Sequence, residues 1–198
     1  MKSMMFKGVT LFFMLILPML VNAQDKYSTK AAAVTVEGTS TMHDWEMKAA
    51  NGDCTIGITT NDAGQITDVV SMNFTISSKA LKSGKDGMDK NAYKALKADK
   101  NANITASLKS ATVSTKDNVT YTVNAKVNLT LAGKTLEVPM VVYLKPNKAG
   151  VINVTTEKKI GMKDFGMEPP SFMLGAVKTG NEVTIKFNFN ANKMNEVN

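Results

Sequence analysis

Past Ala31, apolar and polar residues alternate with a period of two through most of the chain, the pattern of strands with one buried face. Residues 32–37 are predicted as a short first strand, and residues 45–49 and 54–59 as a second pair around Asn51 and Gly52, a dipeptide that favours tight turns. After a turn at 61–64 a longer strand places Met72, Phe74 and Ile76 on one face, with Ser71, Asn73, Thr75 and Ser77 on the other. The period then changes to about 3.6. Met88, Ala92, either Tyr93 or Ala95, and Leu96 share one face opposite several lysines, which predicts a single α-helix over about 86–98.

Strand alternation resumes with Ile104, Ala106 and Leu108. Residues 119–131 carry the cleanest pattern, with Val123, Ala125, Val127, Leu129 and Leu131 inward. A hairpin at 132–134 leads into Leu136, Val138, Met140, Val142 and Leu144, and a turn at 146–150 leads into residues 151–160. The last strand sets Ile185, Phe187 and Phe189 on one face. About eight or nine strands in hairpin succession, with no βαβ alternation, predict an all-β antiparallel fold. Sheets of this size remove their edges by closing or by splitting in two. Several strands reach about a dozen residues, roughly 40 Å, which favours a barrel of about eight strands carrying one inserted helix. Such a barrel has an interior that side chains fill or that holds one small ligand.

The N-terminal residues add a compartment. Lys2 and Lys7 precede an apolar run over 9–20, and Val21, Asn22 and Ala23 complete the pattern of a cleavable secretory signal, residues 1–23. The run is shorter than the ~20 residues of a spanning helix, and Pro18 interrupts it. A periplasmic or secreted location is therefore expected, with no integral membrane segment after cleavage. One domain over 24–190 follows, then a polar tail over 191–198.

Composition narrows the partners. The formal charge of +7 includes the two signal lysines, and every basic side chain is lysine, with no arginine. Nucleic-acid readers depend on arginine forks and stacking aromatics, so lysine on solvated strand faces is the reading adopted, with no nucleic-acid partner. Cys54 is the only cysteine and cannot form an intrachain disulfide. The only histidine, His43, stands two residues from the only tryptophan, Trp45. Its acidic neighbour Asp44 would point to the opposite face of a strand, which leaves His43 without an orienting partner. No catalytic residue, metal or cofactor is expected. Trp45 is expected to pack on the interior and His43 to lie near the rim, as a candidate contact for a ligand headgroup.

Residues 161–175 contain Phe165, Met167, Phe172, Met173 and Leu174 among glycines and two prolines. A loop this apolar must fold onto something, either plugging the barrel core or lining a site for an apolar ligand.

Three segments together resemble the YceI-like family of secreted bacterial proteins: Gly38 to Trp45, Met88 to Lys97, and Met162 to Pro170 with Gly175 and Gly180 to Ile185. The resemblance spans nearly the whole chain after the signal. It implies a lipocalin-like antiparallel barrel that binds polyisoprenoid or related amphiphilic lipid in an elongated cavity, with the apolar loop over one end.

Three functions follow as alternatives: a non-catalytic carrier of an apolar chain, a secreted barrel with a packed core and no ligand, and a hydrolase using His43. The first is favoured, with an amphiphilic lipid (polyisoprenoid, quinone or fatty-acid-like) as partner. Its expected apolar lining is Trp45, Phe74, Ile76, Leu96, Ile104 and Leu108 from the first half. The second half adds Val123, Val127, Leu129, Val138 and Val142, then Phe165, Met167, Phe172, Met173 and Phe187.

Overall fold

In the computed structural model, which describes residues 24–194, the chain forms one closed antiparallel barrel. The segment expected to be a signal, residues 1–23, and residues 195–198 of the expected polar tail lie outside the described residues. The long strands are β1 (Gln24–Ser40), β2 (Trp45–Thr60), β3 (Ile66–Ser77), β4 (Asn103–Thr115), β5 (Tyr121–Leu131), β6 (Lys134–Pro146), β7 (Val151–Gly161) and β9 (Val177–Lys193). A two-residue β8 (Ser171–Phe172) attaches to β9, and α1 (Asp86–Ala95) is inserted between β3 and β4. Each long strand pairs with the next, and β9 pairs with both β7 and β1, so no long strand is left as an edge.

Sequence periodicity explains most of these elements. β5 buries Tyr121, Val123, Ala125, Val127, Leu129 and Leu131, every second residue, and turns its polar residues outward. Three strands differ from expectation. β1 begins eight residues earlier than the alternation at 32–37 suggests, because its polar first half pairs with 54–59 of β2. Asn51 and Gly52 do not turn the chain: β2 runs straight through them with a bulge. Gly52 is needed there because a Cβ would stand 2.6 Å from the Phe74 ring. β9 likewise continues to Lys193, with Ala191 fully buried, so the apparent tail from 191 includes the end of a strand.

The barrel has two distinct ends. The bottom carries the turns 61–65, 116–120 and 147–150 and is packed shut by Tyr27, Ile58, Tyr121 and Ile152, all buried. The top carries the β1–β2 turn, α1, the β5–β6 hairpin and the long β7–β9 connection.

Two pairs of neighbouring strands part company partway along. β6 and β7 pair only from Val142 opposite Thr156 down to Pro146 opposite Ile152, so they splay toward the top. β3 and β4 pair only over 73–77 with 103–107 and splay toward the bottom. The upper gap is filled by a short 3-10 turn, Lys163–Phe165, which touches both β6 and β7 and buries Phe165 almost completely. Gly166 ends the turn in the left-handed region, φ 67°, and Met162 and Lys163 donate from their backbone N–H groups to Asn181, at 2.8 and 2.9 Å.

Lysines on the outer faces meet carboxylates on adjacent strands, as Lys186 does with Glu37 at 2.7 Å and Lys193 with Asp25 at 2.7 Å. Cys54 points inward, and burial, then the nearby Asp53 charge, pushes its thiol up to about 12. A raised acid titration favours folding while the thiol stays protonated and disfavours it once pH exceeds the unfolded value. Stability measured by denaturant should therefore fall more steeply above about pH 9 in the wild type than in Cys54→Ala, by about 3 kcal/mol at about pH 11. Parallel pH curves for the two proteins would refute this.

Candidate functional site

The upper half of the lumen is a cavity of about 570 Å³. Its walls are built from inward positions of every long strand except β7's lower half, from one face of α1, and from the β7–β9 connection. Met88, Ala92, Ala95 and Leu96 face it together with Gly87 and Asn91, so Ala95 rather than Tyr93 completes the apolar stripe. Tyr93 instead donates its hydroxyl to the Lys79 and Leu81 carbonyls, at 3.0 and 2.9 Å. The helix is also tied down by buried Asp89, which accepts from the Ser83 N–H at 2.8 Å and the Ser83 hydroxyl at 2.7 Å. Those bonds hold the Asp89 carboxyl below its ordinary range.

The cavity reaches solvent beside the β1–β2 turn, where Met42 and His43 border it and are exposed. His43 lies in the turn, ahead of β2, rather than on a strand as its alternation with Trp45 suggests. Its Nδ1 is 2.7 Å from the Asp44 carbonyl, an acceptor, which places the ring proton on Nδ1 in the neutral form. Its backbone is fastened by the Ser40 hydroxyl, which donates to the His43 carbonyl at 2.7 Å. Trp45 begins β2, borders the cavity and donates its indole N–H to the Thr39 carbonyl at 3.1 Å. The ring lies over Gly38, where an added Cβ would come within 2.3 Å of Cζ2. Glycine at 38 is thus what lets the indole lie flat at the mouth.

Below the main cavity is a second, wholly apolar one of about 90 Å³, lined among others by Cys54, Val69, Met72 and Phe189. Both cavities are bordered by the same four residues, Phe74, Ala106, Met140 and Phe187. Phe74 and Phe187 meet edge to face, with centroids 5.0 Å apart and planes at 83°. They come from strands that are not neighbours, so their contact forms a partition across the lumen.

The residues expected to line a site are distributed as follows. Trp45, Phe74, Ile76, Leu96, Ile104 and Leu129 border the main cavity, as do Met167, Phe172, Phe187 and His43. Leu108, Val123, Val127 and Val142 border the lower one. Val138 and Phe165 border neither and are buried in the wall, Phe165 as the filling of the β6–β7 gap. The side chain of Met173 lies outside those described. The apolar loop therefore divides its labour: Met162, Met167, Pro170 and Phe172 line, while Phe165 plugs.

Lys158 is a lining residue that sequence alternation does not single out. It sits in the run Thr155 to Lys159, where no apolar residue marks the inward face. Only continuation of the pattern from Ile152 and Val154 to Ile160 identifies it as inward.

Among the described residues, no group of three or more His, Cys, Asp or Glu side chains could hold a metal ion. No helix among them is long and apolar enough to cross a membrane.

The family model of the YceI-like domain matches residues 26–191. No curated protein matches the sequence. Among solved structures, a polyisoprenoid binding domain from Saccharophagus degradans, implicated in plant cell wall breakdown, superposes with a TM-score of 0.63 at 11% identity, covering 85% of this chain and 98% of that one. BcnA of Burkholderia cenocepacia gives 0.62 at 17% identity, over 80% and 95%. A YceI protein of Campylobacter jejuni gives 0.54 at 16%, over 74% and 85%. At these identities the likeness is one of fold.

Proposed function

The chain belongs to the YceI-like family, and on that premise we propose that it is a non-catalytic, extracytoplasmic carrier of a lipid with a long apolar chain, such as a polyisoprenoid, held in the upper cavity. The observation that supports this most is the cavity itself: an open-mouthed chamber of about 570 Å³ whose walls are mainly aliphatic, methionine and aromatic side chains. An apolar cavity of about 150 Å³ takes one benzene ring, so this one has room for roughly two dozen carbon atoms. Burying about a dozen methylenes contributes roughly 10 kcal/mol, within the roughly 4–15 kcal/mol lost when a ligand is immobilised. A longer chain tips the balance without any directed polar contact.

The polyisoprenoid-binding neighbour supports the choice of ligand class, and the N-terminal signal pattern supports the location. A fully packed barrel fits poorly with a chamber this large, and the groups bonded to His43 are the Asp44 carbonyl at its ring and the Ser40 hydroxyl and N–H at its main chain. Delipidated protein should take up isoprenols, quinones or fatty acids in native mass spectrometry, with a change in Trp45 fluorescence, since that single indole borders the cavity. Uptake of none of these would overturn the proposal.

A further inference from the structure

Electrostatics of the cavity wall say more about the cargo than its apolar character does. Its charged or titratable residues are Lys85, Lys158 and His43, and no aspartate or glutamate among the described residues borders it. Lys85 and His43 stand at the mouth, at the start of α1 and in the β1–β2 turn. Lys158 does not. It lies on β7 opposite Ile185 of β9, with Thr156 opposite Phe187 on one side and Ile160 opposite Val183 on the other. It is therefore one inward step above the aromatic partition, near the floor of the chamber.

That position is a poor one for a lysine with nothing to bind. Its inward neighbours along the strand are Thr156, half-buried, and Ile160, buried, and it is itself only partly exposed. Eight of the described lysines meet a carboxylate, among them its neighbour Lys159 with Glu182 at 3.4 Å; the Lys158 ammonium makes no ion pair or hydrogen bond with any described residue, and unlike the unpaired lysines of the outer faces it borders the cavity. An amino group set into an apolar wall costs free energy unless an acceptor meets it. Beside Lys158 the β6–β7 ladder has already ended at Val142 and Thr156, whose hydroxyl donates to the Val141 carbonyl at 2.7 Å.

We propose that Lys158 is the internal anchor for the polar end of the cargo, and that this end carries an anionic oxygen group, a carboxylate or a phosphate. The inference rests on the carrier reading above and adds a direction to it: the headgroup lies deep, against Lys158, and the chain extends toward the mouth. A cationic headgroup is disfavoured by the same wall.

The test compares palmitate, hexadecyl phosphate and hexadecanol, one chain with three ends, titrated into delipidated protein and followed by Trp45 fluorescence. The wild type should bind one or both anions about tenfold to a hundredfold more tightly than the alcohol, the range for a charged hydrogen bond. Which anion binds more tightly distinguishes carboxylate from phosphate. Lys158→Met should erase the preference while keeping hexadecanol affinity, which also shows that the variant is folded. Lys159→Met, facing out, should keep the preference. If the wild type binds all three alike, or if Lys158→Met still prefers the anions, Lys158 is not the anchor and the carrier reading survives. If none of the three binds, both fall.

Discussion

Phe187→Ala should join the two cavities and lengthen by roughly ten carbons the longest straight-chain alcohol that the protein accepts, a ligand that Lys158 does not anchor and whose tail can reach the floor, counting the lower cavity and the space of the lost ring at the density of a benzene-filled cavity. The ring now closes the floor by meeting Phe74 edge to face at 5.0 Å, and its other side contacts Phe189 with centroids 6.4 Å apart. With the ring gone, Phe74 alone does not span the lumen, and the apolar walls of the lower chamber become continuous with those above. The same substitution should lower stability by about 3 kcal/mol, or roughly 6–12 °C in Tm. In a series of straight-chain alcohols, affinity rises with each methylene until the chain meets the floor. An unchanged break point in the variant would show that the partition does not set the length.

Phe165→Ala should be the most destabilising single truncation in the β7–β9 connection, at about 3–5 kcal/mol. Phe165 is 2% exposed and fills the gap where β6 and β7 separate. The backbone of β7 beyond Thr156 is paired on one side only, to β9, so the ring also shields strand edges that have no partner. Hydrogen exchange should quicken in residues 134–141 and 157–161 of the variant and stay close to wild type in β1 and β2. A loss below about 1 kcal/mol would show that the turn rides on the barrel without sealing it.

Both expectations depend on features that local pattern does not encode. Alternation made β5 and β9 readable because Val123 to Leu131 bury one face without interruption, and Ile185, Phe187 and Phe189 keep apolar side chains on one face. It failed at Asn51 and Gly52, where a turn-forming pair serves a bulge and the glycine makes room for Phe74, a residue more than twenty positions away. The inward character of Phe74 and Phe187 was legible; their meeting across the lumen was not, since it depends on where closure of the barrel brings β3 and β9, which are not neighbours in the sheet. Lys158 escaped for a related reason: in a run of threonines, glutamate and lysines, polarity no longer distinguishes the two faces. The division of the apolar loop between lining and plugging likewise depends on where β6 and β7 separate.

The junction between β1 and β9 joins residues 27–40 to residues 179–193, nearly the two extremes of the described chain. Contacts so distant in sequence form late and slowly, because the loop they close is almost the entire molecule. Until they form, β1 and β9 each lack a neighbour and the chamber stands open along the seam where Val34 meets Phe187 and Val36 meets Ile185. The binding chamber is thus complete only once that junction has closed. A hydrophobic chain present at that moment would be enclosed rather than threaded, and cargo and barrel would then share a single kinetic fate.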